Sequence, residues 1–126
     1  GACSGWDFSN RWFADGKNIT SIETTDILPV DLNSLMVKNK EIIIKARKLA
    51  KITNYDKGFE TRGDINKYFW NPKVNFYTDY HFLKNVKQNT VTLGGMFPLC
   101  FNIENLKNQK QKAMLMTPVL KKKLLK

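Results

Sequence analysis

The sequence predicts an all-α protein forming a single domain. Three observations carry that prediction. After residue 30, apolar side chains recur at three- and four-residue spacing, the period of one helical face. Lysines fill the positions between them, as on the solvated side of amphipathic helices. The distinctive Gly, Pro, Asn and aromatic residues fall between these stretches and read as loops, and no internal repeat interrupts the layout of helix after helix. At 126 residues and 42% hydrophobic content, the chain is long enough to bury a core. A toroid or bundle of helices is the expected organisation.

Residues 1–30 are rich in Ser, Thr, Asn, Asp and Gly and read as a long loop with one short helix at most. Within it, Asp15-Gly16 signals a turn, and Asn18-Ile19-Thr20 matches the N-glycosylation acceptor pattern. Leu32, Leu35, Met36, Ile42, Ile43, Ala46, Leu49 and Ala50 then describe an amphipathic helix of about five turns. Pro29 precedes it and Asp31 is its expected N-cap. A second helix is expected from about Tyr55 to Trp70, with Phe59, Ile65, Tyr68 and Phe69 inward; Gly58 and Gly63 weaken it, and Asn71-Pro72 stops it. The stretch "VNFYTDYHF" alternates loosely between turn residues, so a short hairpin-like excursion is expected near 74–83. A helix from about Thr90 to Phe101 follows. Its Gly94-Gly95 pair permits close approach, and Pro98 must kink it or start a new turn. A last helix runs from Glu104 to the end through Leu106, Ala113, Met114, Val119, Leu120 and Leu124, interrupted by Pro118.

The net charge of +10 suggests a phosphate-binding surface, but only three of the 21 basic residues are Arg, and the lysines are scattered until the terminal "LKKKLLK". A nucleic-acid partner is therefore not expected. Cys3 and Cys100 are too few and too far apart for a disulfide scaffold or a zinc site. His81, the single histidine, has no metal-ligand partner at i+3 or i+4, so neither a metal nor another cofactor is expected. No apolar run reaches the roughly 18 residues of a membrane span. The N-terminus does not read as a signal peptide. Gly1 to Phe13 carry dense motif character instead, as in a segment from the middle of a longer chain.

That motif, "SGWDFSNRWF" at residues 4–13, holds Asp7 between Trp6 and Phe8. Two readings stand on the residues alone. Asp7 caps a turn whose aromatics are core, or it is the proton donor of a carbohydrate site. Glycoside hydrolysis uses one carboxyl group to protonate the leaving oxygen and a second to activate water or attack the sugar.

The motif, followed by "TTDILPVDLNSLM" at 24–36, "YFWNPKVNFYTDY" at 68–80 and "MFPLCF" at 96–101, closely resembles the trehalases, glycoside hydrolases of family 37. The four blocks occur in the family's order and span nearly the whole chain. The resemblance implies an (α/α)6 toroid, here incomplete with about four or five helices, that hydrolyses α,α-trehalose to two glucose molecules with inversion. It implies that Asp7 is the general acid and that Gly5 contributes to sugar binding. Trp6 joins the substrate-binding set, with Trp6 and Phe8 as candidates for the apolar wall beside the acid. The family's base, a glutamate, and its sugar-clamping arginines have no match in residues 1–126. The chain is thus expected to be one partial domain, inactive alone, whose apolar faces leave it marginal or aggregation-prone in isolation.

Three departures stand out: Cys3 in place of the family's usual Glu, Asn10 in place of a Ser, and Asn75 where Gly is common. Asparagine tolerates the left-handed backbone that such a turn requires. Cys3 bears on activity through a contact to the acid. The competing readings are a non-catalytic sugar- or protein-binding module and another (α/α)6 glucosidase. The Asn18 pattern favours a secreted or membrane-anchored parent, the anchor lying outside this chain, over a cytoplasmic one. The oligomeric state is not legible in the sequence.

Overall fold

A long helix, α1, spans Val30–Leu49. Pro29 precedes it in an extended conformation, which ends the strand before it and fixes the entry of the chain. The computed structural model describes residues 5–7, 9–52, 64–103, 113, 116–118 and 122. Asp31 is not the N-cap, which falls at Pro29 with no side-chain hydrogen bond. Its carboxylate turns inward and is buried. The helix buries Val30, Asp31, Ser34 and Val37. The Leu-Ile-Met face stays exposed among the described residues, Met36 at 64% and Leu49 at 77%. At its end, the Lys51 and Ile52 N–H groups donate to the Lys48 and Arg47 carbonyls at 3.1 and 3.0 Å. This is a Schellman cap with Lys51 in the left-handed region, φ 56°.

The all-α expectation is overturned by two antiparallel sheets. β1 (Ile27–Leu28), β4 (Tyr80–His81) and β5 (Val86–Lys87) form one sheet in the order β1-β4-β5. β2 (Trp70–Asn71) and β3 (Phe76–Tyr77) form the other. The physical reason lies in the 70–88 segment, whose aromatic residues are punctuated by asparagines. In the registers Asn71↔Phe76 and His81↔Val86, each hairpin has a four-residue loop. Each loop ends on an asparagine in the left-handed region, Asn75 at φ 50° and Asn85 at φ 55°. Such turns reverse a chain that helical periodicity would carry onward. The expected excursion near 74–83 is extended, but its two strands belong to different sheets: β3 pairs backward with β2, and β4 pairs with β1 and forward with β5.

Of the helix expected at 55–70, residues 55–63 with Phe59, Gly58 and Gly63 lie outside the described residues. Its end is a π-helical turn, Ile65–Phe69, with Ile65 and Phe69 buried and Tyr68 half-buried. The helix expected from Thr90 begins only at a 3-10 turn, Leu93–Met96, which leads into the short helix α2, Phe97–Cys100. Pro98 starts that helix instead of kinking one, since its missing N–H costs nothing in a first turn. α2 repeats the cap of α1, with Asn102 left-handed at φ 54° and Ile103 N–H on the Pro98 carbonyl at 3.1 Å. Residues 113, 116–118 and 122 are helical and Met116 is fully buried, while most of the last expected helix lies outside the described residues.

The core gathers Val30 and Val37 of α1, Phe69, Phe76 and Tyr77 of the first hairpin region, and Ile103. Gly95 is what lets these layers close. A Cβ there would lie 2.2 Å from the Tyr77 carbonyl oxygen and 2.3 Å from the Phe76 ring, so only glycine fits.

Candidate active site

Asp7 lies exposed in a turn closed by the Ser9 N–H, which donates to the Trp6 carbonyl at 3.0 Å. Gly5 leads into the turn at φ +73° with open space on its Cβ side, a backbone that an L side chain rarely adopts. Trp6 is half-buried. Phe8, the other half of the expected wall, and Cys3 lie outside the described residues. Ser9 then caps a 3-10 turn, Asn10–Trp12, by accepting from the Arg11 N–H.

Directly after this turn comes a buried charge cluster that the sequence reading did not find. Arg11 is fully buried and bridges two aspartates from distant elements. Its Nε donates to Asp79 Oδ2 at 2.7 Å and its Nη2 to Asp79 Oδ1, while Nη1 donates to Asp31 Oδ2 at 2.9 Å and Nη2 to Asp31 Oδ1 at 3.2 Å. Burial opposes the guanidinium charge, yet the hydrogen bonds that Arg11 donates to Asp79 and Asp31 outweigh it and hold the Arg11 pKa above its ordinary value. One cation against two anions leaves a net negative charge. The N-terminus of α1 faces it: Val30 N–H donates to Asp79 Oδ1 and Leu32 N–H to Asp31 Oδ1, each at 2.9 Å. Asp79 thus caps the helix from 49 residues away, and the positive end of the helix dipole offsets part of the charge. A Cβ on Gly94 would sit 3.2 Å from both Arg11 and Asp31, so this glycine closes over the cluster. The available signal was Arg11 itself, a rare arginine in a lysine-rich chain, inside a block whose companions carry "PVDLN" and "YTDY".

A second polar cluster sits on the three-stranded sheet. His81 is buried, and its Nδ1 accepts the Lys84 N–H at 3.3 Å. The hydrogen therefore resides on Nε2, which donates to Glu23 Oε2 at 3.1 Å. Lys84 Nζ donates to both Glu23 oxygens at 2.8 Å. This lysine, with lesser help from His81, holds the Glu23 pKa below its ordinary value.

Asn18 is exposed, and its Nδ2 donates to Asp15 Oδ2 at 2.6 Å. Asp15 also accepts the Lys17 and Asn18 backbone N–H groups at 2.8 Å, which with Gly16 at φ +68° completes the expected turn. These bonds, the Asn18 N–H first, hold the Asp15 carboxyl well below the usual carboxylate range. Cys100 is a free, exposed thiol. A cleft of about 690 Å³ between the hairpin loops is lined by Lys67, Tyr68, Lys73, Tyr80 and Lys87 among others, and not by Gly5, Trp6 or Asp7.

The exposed turn that carries Asp7 thus runs directly into the segment that holds the buried Arg11 cluster. The trehalase family's sequence profile matches residues 1–126, and the chain belongs to that family. It is similar to a putative periplasmic trehalase of Escherichia coli O157:H7 and to a periplasmic trehalase of Escherichia coli O139:H28. Each is 39% identical over 106 residues, covering 80% of this chain and 19% of the relative. The chain therefore spans about a fifth of the length of these curated relatives. Among the described residues, no helix is long and apolar enough to cross a membrane.

Proposed function

We propose that this chain is the acid-bearing segment of a glycosidase that hydrolyses α,α-trehalose to two glucose molecules. The observation that carries the reading is the family membership over all 126 residues, together with the likeness to relatives named as periplasmic trehalases. In the proposed reaction, Asp7 gives its proton to the glycosidic oxygen as the bond to the anomeric carbon breaks. A water molecule attacks that carbon from the opposite face and loses its proton to a second carboxylate, which inverts the configuration. No residue of this chain is assigned to that base, so the 126 residues alone are proposed to be inactive. Gly5 and Trp6 lie beside the acid and are assigned to the sugar, Trp6 through its ring face. Because Asp7 is exposed among the described residues, the apolar surroundings of a working acid are assigned to other parts of the whole protein.

By the same likeness, the protein works outside the cytoplasm. Asn18, exposed at the start of a short 3-10 turn, is its glycosylation site where the cell carries out that modification. The test of the function is Asp7→Asn in the full-length protein. Trehalose turnover should fall by roughly 10²- to 10⁴-fold, the usual worth of a general acid. Turnover within a few-fold of the unmodified protein would remove Asp7 from the mechanism.

A further inference from the structure

The buried cluster and the acid-bearing turn share one short segment, and two contacts join them. The Trp12 indole N–H donates to the Trp6 carbonyl oxygen at 2.6 Å. This is the same oxygen that accepts the Ser9 N–H to close the turn around Asp7. The guanidinium carbon of Arg11 lies 5.5 Å from the Trp6 ring centroid and 4.9 Å from that of Trp12, within cation–π range of both. Arg11 cannot itself drift, because its bonds to Asp31 and Asp79 tie it to the start of α1 and to the β3–β4 connection. Gly5, which leads into the turn, adopts φ +73° and is conformationally permissive.

We propose that Trp12 and Arg11 are positioning residues: they clamp Trp6, Trp12 through its carbonyl and Arg11 through its ring, and so fix the direction in which Asp7 presents its proton. The proposal rests on the reading of Asp7 as general acid. Proton transfer needs the carboxyl within about 2.6 to 3.2 Å of the glycosidic oxygen. A displacement of about 1 Å at a reacting group can cost on the order of 10²-fold in rate. The carbonyl of Trp6 belongs to the peptide that joins Trp6 to Asp7, so losing the Trp12 bond leaves that oxygen with the Ser9 N–H and loosens the backbone where a small rotation moves the carboxyl.

The experiment uses two substrates in the full-length protein. Cleaving trehalose requires a proton on the departing glucose oxygen. In α-glucosyl fluoride the electron pair leaves with fluoride, which needs no proton from an acid. Trp12→Phe keeps an aromatic ring beside Arg11 and removes the indole donor together with part of the buried ring volume. It should lower the ratio of trehalose to fluoride turnover by roughly 10- to 100-fold, in kcat more than in KM. The ratio does not depend on how much of a variant is folded, and Val37→Ala, a core change in α1, serves as a destabilised control whose ratio should not move. An unchanged ratio in Trp12→Phe, or loss of both activities together, overturns the positioning role. Asp7→Asn separates the two claims. A collapsed ratio there with an intact one in Trp12→Phe defeats only the clamp, whereas an intact ratio in Asp7→Asn defeats the acid assignment and the clamp with it.

Discussion

Of the two described arginines, Arg47 lies exposed on α1 and Arg11 is fully buried against two carboxylates. Removing one partner of such a cluster leaves an uncompensated buried charge, a loss of about 3–5 kcal/mol, which is why burial alone marks Arg11 as structural. Glu23 shows the opposite regime, a partly exposed ion pair whose effect depends on pH. Its pKa in the folded protein is depressed from an ordinary value near 4.5, chiefly by the Lys84 hydrogen bonds. A depressed carboxylate stabilises the fold above its unfolded pKa and loses that contribution as pH falls through the folded value. The stability difference between the unmodified protein and Glu23→Gln should therefore be full at pH 7 and shrink below about pH 4.5. Denaturant midpoints measured at pH 7 and pH 3 check this, and an equal difference at both would reject it. The sequence marked Asp7, Gly5 and Asn18 because short motifs name them. It did not mark Asp31 and Asp79 as partners of Arg11, because nothing local connects residues 20 and 68 positions away from it.

At the scale of elements, left-handed residues follow α1 and α2 and end both described hairpin loops. Three of these four positions are asparagines, which tolerate that backbone, and the fourth is Lys51. Lysine bears the Cβ penalty at a cap position where glycine bears none. Lys51→Gly should accordingly stabilise the protein by about 1 kcal/mol in equilibrium urea unfolding. A loss of stability would show that the lysine side chain contributes more than its backbone costs. The Asn75 turn was legible because asparagine stood where glycine is common, whereas the left-handed Asn85 carried no such comparison. The existence of α1 was legible from its period, but its buried face was not. Leu and Ile outnumber Val and Ser along the helix, yet the packed side is Val30, Ser34 and Val37, because the Arg11 cluster fixes the rotation of the first turn.

For the whole molecule, a close approach joins the 3-10 turn before α2 to β3. Gly95→Ala would force its Cβ into the Tyr77 carbonyl and the Phe76 ring. Overpacking of this kind costs typically about 1–3 kcal/mol, and here the neighbours include the Tyr77 backbone, which cannot rotate away, so a loss of about 3 kcal/mol is expected. Urea midpoints of the variant and the unmodified protein measure it, and a loss under about 0.5 kcal/mol would mean that the turn shifts freely. The glycine pair was readable in advance as a point of close approach, although what it approaches was not. By itself, the sequence determined the family, the turn at Asp15-Gly16 and the extent of one long helix, since each is written in adjacent residues or in a short period. The tertiary structure alone decided that residues 70–88 split between two sheets, that Asp79 caps α1, and that Arg11, Asp31 and Gly94 close around one buried charge. Strand pairing and buried ion pairs are set by which distant groups can satisfy one another away from water, and that choice exists only once the chain has folded.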